Sequence, residues 1–375
     1  MTNLSRRSWL KGVGLMSSLS VIGGITPIHQ LSAEEIKKFR PRPLTGKIKL
    51  SSNENPFGPS EKVRKAMISN FDEACRYPFS YSEELLEKIA LKEGVSKNHI
   101  VLTGGSTEGL KAVGLTYSMN GGEIIAAKPT FLAMMTYAGQ WGGSVNWVPV
   151  DKNMIHDLDE MEKRISSKTK LIFLCNPNNP TSTLLPADRL FDFCNTVSDK
   201  VTLFSDEAYY DFIEEKNYPS MVSLVKKGKN IIVSKTFSKV YGLAGLRIGY
   251  MIANPEVAMG LKKNIMAFTN VLAIEAAKNA LDDQEFYNFS LNKTVEAKKI
   301  ILEGLDHLNL EYAPSNTNFV FFKSGINIIK LQKQMLEKGI IVGRPFPPFN
   351  NWCRISTGTP EEVIRFNYAL KGVLS

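Results

Sequence analysis

Cysteine and histidine are scarce in this chain of 375 residues, which contains four of each. The cysteines, Cys75, Cys175, Cys194 and Cys353, form no CxxC pair and no Cys/His spacing typical of a metal site. Four thiols in a chain of this length also do not indicate a disulfide framework. We therefore expect no bound metal and four ordinary, half-buried cysteines.

Blocks of like charge and low-complexity tracts are missing as well. The chain is 43% hydrophobic and 22% charged, which excludes fibrous and disordered proteins and predicts a sizeable globular core. Lysine and arginine outnumber aspartate and glutamate by 46 to 37. Because these bases are spread along the chain without a block flanked by stacking aromatics, we expect small anionic ligands and no nucleic-acid partner.

Acidic residues are absent from residues 1–33, where bases that include Arg6 and Arg7 precede a mild apolar stretch over residues 12–28. This layout is typical of an export signal, and residues 5–11 resemble the twin-arginine signal. The stretch is too interrupted for a transmembrane helix. We predict a periplasmic or otherwise exported protein without stable membrane association after export. A cytoplasmic protein with a basic amphipathic N-terminus is the alternative.

From about Gly46, short apolar runs alternate with helical patterns, which predicts a βαβ succession and a mostly parallel sheet. Ligands of such sheets bind beyond the carboxyl ends of the strands. The candidate strands are Ile100–Leu102, Glu123–Ala127, Leu171–Leu174, Val201–Phe204, Ile231–Ser234 and Ile248–Ile252.

After about Asp282 the pattern changes and predicts a smaller α+β domain. The expected division is an export signal at 1–33, an arm with part of the small domain at 34–76, a large domain at 77–282 and the remaining small domain at 283–375. The elements expected in the last part are a helix over Glu285–His307, a strand over Asn318–Lys323, a helix over Asn327–Lys338, strands over Ile340–Val342 and Arg354–Ser356, and a helix from Pro360.

Two segments that follow candidate strands have the composition of anion-binding turns. Gly105, Ser106 and Thr107 combine a flexible glycine, hydroxyl donors and the start of a helix, which together suit a phosphate. Residues 175–181 contain two Asn-Pro steps, which favour a turn and allow a cis bond. Taken alone, the first segment is equally compatible with a purely structural turn, and for the second segment a structural turn is the preferred interpretation.

Two charged residues follow the next candidate strands. Asp206 needs a cationic partner or a metal, because burying an unpaired carboxylate costs several kcal/mol. Lys239 lies in a loop where burial would lower its pKa and make its amine nucleophilic. The hydroxyls of Thr236 and Ser238 and the guanidinium of Arg247 would complete a phosphate site. Ordinary surface charges are the alternative for an isolated lysine and arginine.

In this order, the motifs Asn-Pro-Thr, Asp-Glu-Ala-Tyr, Ser-Lys and Gly-Leu-Arg-Ile-Gly resemble those of the fold-type I pyridoxal-phosphate enzymes. The chain resembles the aspartate-aminotransferase superfamily and, within it, the histidinol-phosphate aminotransferase branch. The resemblance extends from about Leu50 to the C-terminus. It implies an α/β fold in which residues 77–282 bind pyridoxal 5'-phosphate, and a homodimer with shared active sites. The implied reaction moves an amino group from an L-amino acid or amino-alcohol phosphate to a 2-oxo acid such as 2-oxoglutarate.

The resemblance also implies roles for individual residues. Lys239 would form the Schiff base and carry the substrate proton, Asp206 would pair with the ring nitrogen, and Asn179 and Tyr209 would hold the ring's phenolic oxygen. Phe131 would stack on the ring. The residues implied for the cofactor phosphate are Gly105, Ser106, Thr107, Thr236, Ser238, Arg247 and, across the dimer interface, Tyr77.

For the substrate, the resemblance implies that Arg354 binds the carboxylate and that the segment of Asn53 covers the site. The branch places a phosphate-binding arginine directly after a Gly-Ile-Ile-Val strand, whereas here Gly343 intervenes and Arg344 follows. A slip of one residue reverses a side chain on a strand, so Arg344 either reaches an anionic substrate from the loop or is a solvated charge. A decarboxylase similar to the threonine-phosphate decarboxylases and a non-catalytic binding protein are the competing functions.

Overall fold

The computed structural model describes residues 46–375, and the predicted export signal at 1–33 lies outside the described residues. Along this described part, no helix is long and apolar enough to cross a membrane. The strands are β1 (Ile48–Lys49), β2 (Ile100–Thr103), β3 (Glu123–Lys128), β4 (Ser144–Pro149), β5 (Thr169–Cys175), β6 (Thr202–Asp206), β7 (Ile231–Thr236), β8 (Gly249–Ile252), β9 (Phe319–Lys323), β10 (Ile340–Ile341) and β11 (Trp352–Ser356). The α-helices are α1 (Glu61–Ser69), α2 (Ser82–Glu93), α3 (Ser106–Ser118), α4 (Ala133–Gln140), α5 (Leu158–Lys163), α6 (Ala187–Val197), α7 (Val222–Val225), α8 (Pro255–Lys262), α9 (Val271–Leu281), α10 (Gln284–His307), α11 (Ile328–Glu337) and α12 (Pro360–Leu374).

The central sheet has seven strands in the order β2-β8-β7-β6-β5-β3-β4. Its strands pair in parallel except for β8, which runs antiparallel to both β2 and β7. The predicted α/β fold with a mostly parallel sheet is therefore confirmed. Strand β4 was not predicted, because this edge strand is exposed at both ends, half-buried over three residues and buried only at Val148, so it carries no buried apolar run.

Both faces of the sheet are covered, as parallel strands require. Along β5, Ile172 and Leu174 pack into one hydrophobic core and Leu171 and Phe173 into the other. This alternation explains why the strand reads as a continuous apolar run in the sequence. The register places Asp206 of β6 beside Cys175 of β5, so the carboxyl ends of neighbouring strands meet at one edge.

A separate hydrophobic core forms around the antiparallel pair of β9 and β11, which α10, α11 and α12 cover. Strand β1 pairs in parallel with β10, and its Ile48 belongs to this core. Val63 of α1 instead packs against the core of the central sheet. The long predicted helix is confirmed as α10, which begins where the Asp283 side chain accepts a hydrogen bond from the Phe286 N–H.

The cysteines are not half-buried as expected. Cys75 lies exposed in a 3-10 turn, whereas Cys175, Cys194 and Cys353 are buried. The buried three lie on β5, α6 and β11, whose inner faces are core positions. A cysteine behaves as a small apolar residue at such positions, so burial follows from the element.

Candidate active site

Lys239 lies in the loop after β7, at the carboxyl edge of the sheet. Its Nζ donates a hydrogen bond to the Asn53 carbonyl at 3.0 Å and lies 5.4 Å from the centre of the Tyr209 ring. Burial, and then the nearby charge of Arg354, lower the pKa of Lys239 to about 8. The neutral, nucleophilic form of the amine is therefore more populated near neutral pH than in an ordinary lysine.

Asp206 ends β6 and is buried. Burial raises the pKa of its carboxyl to about 7, although the backbone N–H of Ala208 and the charge of Lys239 oppose the rise. The Ala208 N–H donates to Oδ1 at 3.2 Å, and no residue in 46–375 forms a salt bridge with this carboxylate. A buried carboxylate of this kind requires a cationic partner, which a protonated ring nitrogen would supply.

Tyr209 lies in a hydrogen-bond network that links Asn53 to Arg354. Its hydroxyl accepts from Asn53 Nδ2 at 2.9 Å and from Asn179 Nδ2 at 3.3 Å. The amide oxygen of Asn179 in turn accepts from Arg354 Nη1 at 2.6 Å, and Arg354 Nη2 donates to the Ser51 carbonyl at 2.7 Å. The structure thus brings together four of the predicted residues from segments far apart in the sequence.

Asn53 has a left-handed backbone, with φ of 55°, and is held from several sides. Its N–H donates to Ser356 Oγ at 2.8 Å, and that hydroxyl donates to Asn53 Oδ1 at 2.9 Å. The Asn53 carbonyl accepts from both Lys239 Nζ and Asn318 Nδ2, each at 3.0 Å. The segment before α1 is thereby tied to the lysine and to β11.

A cradle at the start of α3 is formed by three of the predicted phosphate residues, Gly105, Ser106 and Arg247. Gly105 precedes the helix with φ of 79°, and a methyl group there would collide with the Arg247 guanidinium. A Cβ on Gly249 would lie 2.9 Å from the Ser106 nitrogen, so this glycine allows the helix N-terminus to approach β8. The Arg247 charge also contributes to the lowered pKa of Lys239, which indicates that the cradle and the amine are close.

Most of the other predicted site residues lie on or next to elements of the central sheet, and one of them, Tyr77, lies in a separate surface cluster. Thr236 Oγ1 accepts from the Ser238 N–H at 3.1 Å, and Thr107 is partly buried in the first turn of α3. Phe131 follows β3 and packs partly buried against the sheet core. Tyr77 belongs to a different cluster, in which its exposed ring stacks on Phe79.

Arg344 is exposed in the loop after β10. Its Nη1 donates to the Pro345 carbonyl at 3.0 Å, and its guanidinium lies 4.3 Å from the centre of the Phe346 ring. The guanidinium of Arg354 lies 5.0 Å from the same ring. The loop therefore places a second cation, Arg344, near Arg354, and both guanidinium groups contact the ring of Phe346. The sequence analysis did not identify Phe346.

Sequence reasoning also missed Asn318 and Phe319, which line the site from the start of β9. Asn318 bonds the Asn53 carbonyl, and the ring of Phe319 lies under Arg354 at 5.4 Å. These contacts join residues far apart in the chain, and no local spacing signals them. Ser356 was within reach of sequence reasoning, because it completes the Arg-Ile-Ser run that contains Arg354.

The residues present fit pyridoxal 5'-phosphate. Asp206 offers a buried carboxylate for the ring nitrogen, Lys239 offers a nucleophilic amine, and Gly105 leaves room beside Arg247 for a phosphate. Fold and site together define a pyridoxal-phosphate-dependent transferase.

Comparison with known proteins gives the family. The aminotransferase class I and II family matches residues 45–370, so the chain belongs to this family and is a pyridoxal-phosphate-dependent aminotransferase. It is 37% identical over 330 residues to a histidinol-phosphate aminotransferase of Caldicellulosiruptor saccharolyticus, covering 87% of this chain and 92% of that one. It is 36% identical over 366 residues to histidinol-phosphate aminotransferase 2 of Haemophilus influenzae, covering 96% of each.

A solved structure gives the same result for the fold. The histidinol-phosphate aminotransferase of Sinorhizobium meliloti, in complex with pyridoxal-5'-phosphate, superposes with a TM-score of 0.82 at 26% identity. The match covers 95% of this chain and 98% of that one. The predicted fold-type I architecture is thereby confirmed for the part of the chain that the structure describes.

Proposed function

We propose that the enzyme transfers an amino group from a histidinol-phosphate-like donor, either an amino-alcohol phosphate or an L-amino acid, to a 2-oxo acid such as 2-oxoglutarate. The observation that carries this proposal is the pair of guanidinium groups, Arg354 and Arg344, on the ring of Phe346, of which the Arg354 charge acts on the Lys239 amine. A donor with an anionic group and a 2-oxo acid with a carboxylate both need such cations. The names of the relatives agree with this donor class.

The chain's own residues have distinct tasks in this reaction. When bound, pyridoxal phosphate supplies an electron-withdrawing ring that makes the substrate Cα–H acidic. Asp206 would keep the ring nitrogen protonated, and Arg354 would orient the carboxylate of an L-amino acid donor or of the 2-oxo acid. Lys239 is suited to take the proton from Cα and to return it, because a pKa of about 8 makes both protonation states accessible near neutral pH. Tyr209 and Asn179 would hold the ring's phenolic oxygen in place.

A panel of amino donors tests the substrate class. Purified holoenzyme is mixed with each donor, and conversion of the cofactor to its amine form is followed by absorbance, with histidinol phosphate and unphosphorylated L-amino acids in parallel. We expect conversion by phosphorylated donors, and we expect Arg344→Gln to raise KM for them about tenfold or more while leaving unphosphorylated donors unchanged. Release of carbon dioxide without consumption of a 2-oxo acid would instead identify a decarboxylase.

We also propose that the active enzyme is a homodimer. An aromatic patch is exposed on the large domain, where Tyr77, Phe79 and Phe268 are 76%, 63% and 68% accessible. The Tyr77 and Phe79 rings stack at 5.8 Å, and Phe268 meets Phe79 edge-on at 5.0 Å. A contiguous apolar patch of this kind supports a protein interface. In the dimer, Tyr77 would reach the cofactor phosphate of the neighbouring subunit.

We further propose that the protein is exported by the twin-arginine route, which the bases and the absent acids of residues 1–33 support. The test compares cell fractions for the native chain and for the Arg6→Lys, Arg7→Lys variant. We expect the native chain outside the cytoplasm and the variant inside it. Equal distribution of the two would favour the cytoplasmic alternative.

A further inference from the structure

A buried cluster of charges lies beneath the active site, on the other face of the central sheet. Lys235 is on β7 next to Ser234, whose Cα pairs with that of Asp206. Successive side chains of a strand point to opposite faces, so Lys235 lies on the face away from Asp206. Its side chain is only 14% exposed.

Lys235 bridges two carboxylates that are themselves buried. Its Nζ lies 2.9 Å from Glu93 of α2 and 3.6 Å from Glu207, the residue that follows Asp206. The Glu207 carboxylate also accepts from the Met221 N–H at 2.8 Å. The ionisable groups that face Lys235 are Glu93 from α2, Tyr250 from β8, and Glu207, Tyr210 and Asp211 from the segment after β6.

This cluster is coupled to Asp206 through Glu207. A negative charge on Glu207 opposes a negative charge on Asp206, and both carboxylates are buried. The ammonium of Lys235 favours the ionised form of Glu207 and cancels part of its field. The other ionisable groups that interact electrostatically with Asp206 are Lys239, Cys175 and Tyr209.

We propose that Lys235 is a positioning residue of the active site, whose ammonium offsets part of the charge of Glu207 and so favours the ionised form of the adjacent Asp206, which would receive the cofactor's ring nitrogen. This proposal rests on the proposed role of Asp206. It assigns a function to a lysine that touches neither substrate nor cofactor, on the far side of the sheet from both.

The test measures pyridoxal-phosphate binding to the apoprotein as a function of pH. In the native protein, affinity should fall at acid pH as Asp206 takes up a proton. In Lys235→Met the uncompensated Glu207 should move this fall about one pH unit toward higher pH. In the double variant Lys235→Met, Glu207→Gln, the fall should return to its native position, because the Glu207 charge that acts on Asp206 is gone.

Lys278 provides a matched control. It is 13% exposed on α9 and bridges Glu84 and Glu275, so Lys278→Met removes a comparable ion-pair centre elsewhere. We expect it to lower thermal stability without moving the pH dependence of binding. A Lys235→Met protein that keeps the native pH dependence, or a shift that the double variant does not reverse, would overturn the proposal. A flat pH dependence in both the native protein and Asp206→Asn would instead contradict the role of Asp206.

Discussion

At the scale of single residues, burial sets the charges on which the active site depends. Asp206 and Lys239 are both shifted toward neutrality by desolvation, with pKa values of about 7 and about 8. In the apoprotein, burial therefore destabilises the charged form of each residue. A binding partner for each side chain would remove this cost. Pyridoxal phosphate offers both partners, a ring nitrogen for the carboxylate and a carbonyl carbon for the amine.

The raised pKa of Asp206 predicts a pH-dependent cost in the apoprotein. The native carboxyl binds its proton more tightly than the unfolded one, whose pKa is 3.8. Its contribution to stability is therefore complete below about pH 4 and is lost as pH rises through about 7. The free energy of unfolding of the native apoprotein, relative to Asp206→Asn, should fall by a few kcal/mol between these values.

Urea unfolding of both apoproteins at several pH values measures this difference. Asp199→Asn provides the comparison, because the Asp199 carboxylate is exposed in an ion pair with Lys229. The quantity compared is the free energy of unfolding of the native apoprotein minus that of Asp206→Asn. A difference that stays constant with pH, or that grows as pH rises, would contradict the assigned environment of Asp206.

The residues that sequence reasoning identified are those within short motifs. Lys239 and Asp206 each follow a recognisable apolar strand, so their place at the sheet edge could be predicted. Two hydrogen bonds of the site, from Asn318 to Asn53 and from Arg354 to Asn179, could not be predicted. The bonded residues are 265 and 175 positions apart in the sequence. Such contacts depend on how the elements pack, which local patterns do not contain.

At the scale of elements, the start of α3 is the best candidate for holding the cofactor phosphate. Gly105 serves there in two ways: its backbone, with φ of 79° and ψ of 162°, is a conformation that essentially only glycine adopts, and its missing side chain leaves room for Arg247. Replacement by alanine should cost about 1–3 kcal/mol from the backbone alone. It should also displace Arg247 and so weaken pyridoxal-phosphate binding about tenfold or more.

Gly121, after α3, separates these two effects. Its φ is also 79°, but a Cβ there would meet nothing within 4 Å. Gly121→Ala should therefore lose similar stability in urea unfolding and keep the native dissociation constant for pyridoxal phosphate. Equal affinities for Gly105→Ala and Gly121→Ala would show that the cradle does not bind the phosphate.

Most elements were predictable because their periodicity is strong. The buried strands of the sheet read as continuous apolar runs, and α10 has a clear helical pattern over its 24 residues. The antiparallel direction of β8 was not predictable, since a strand's direction depends on the path of the chain between strands and not on its own residues. The division at residues 77 and 283 remains a prediction.

At the scale of the whole molecule, the exposed aromatic patch predicts a dimer. Phe79 contacts both Tyr77 and Phe268, so it is the centre of that patch. Phe79→Asp should place a charge in the interface and give a monomer with little activity. Light scattering at matched concentrations measures the mass directly.

Leu91→Asp provides the control, because Leu91 is 86% exposed on α2 as a single apolar residue. It should remain dimeric and active. A native protein that is monomeric and fully active would contradict both the dimer and the role of Tyr77 in the neighbouring site.

The central claim is that Lys239 is the lysine that carries pyridoxal phosphate. The most direct measurement reduces the holoenzyme with borohydride, digests it, and locates the pyridoxyl group by mass spectrometry. We predict the group on Lys239 in the native protein and its loss, together with transamination, in Lys239→Ala. A pyridoxyl group on another lysine such as Lys235, or full transamination by Lys239→Ala, would contradict the account.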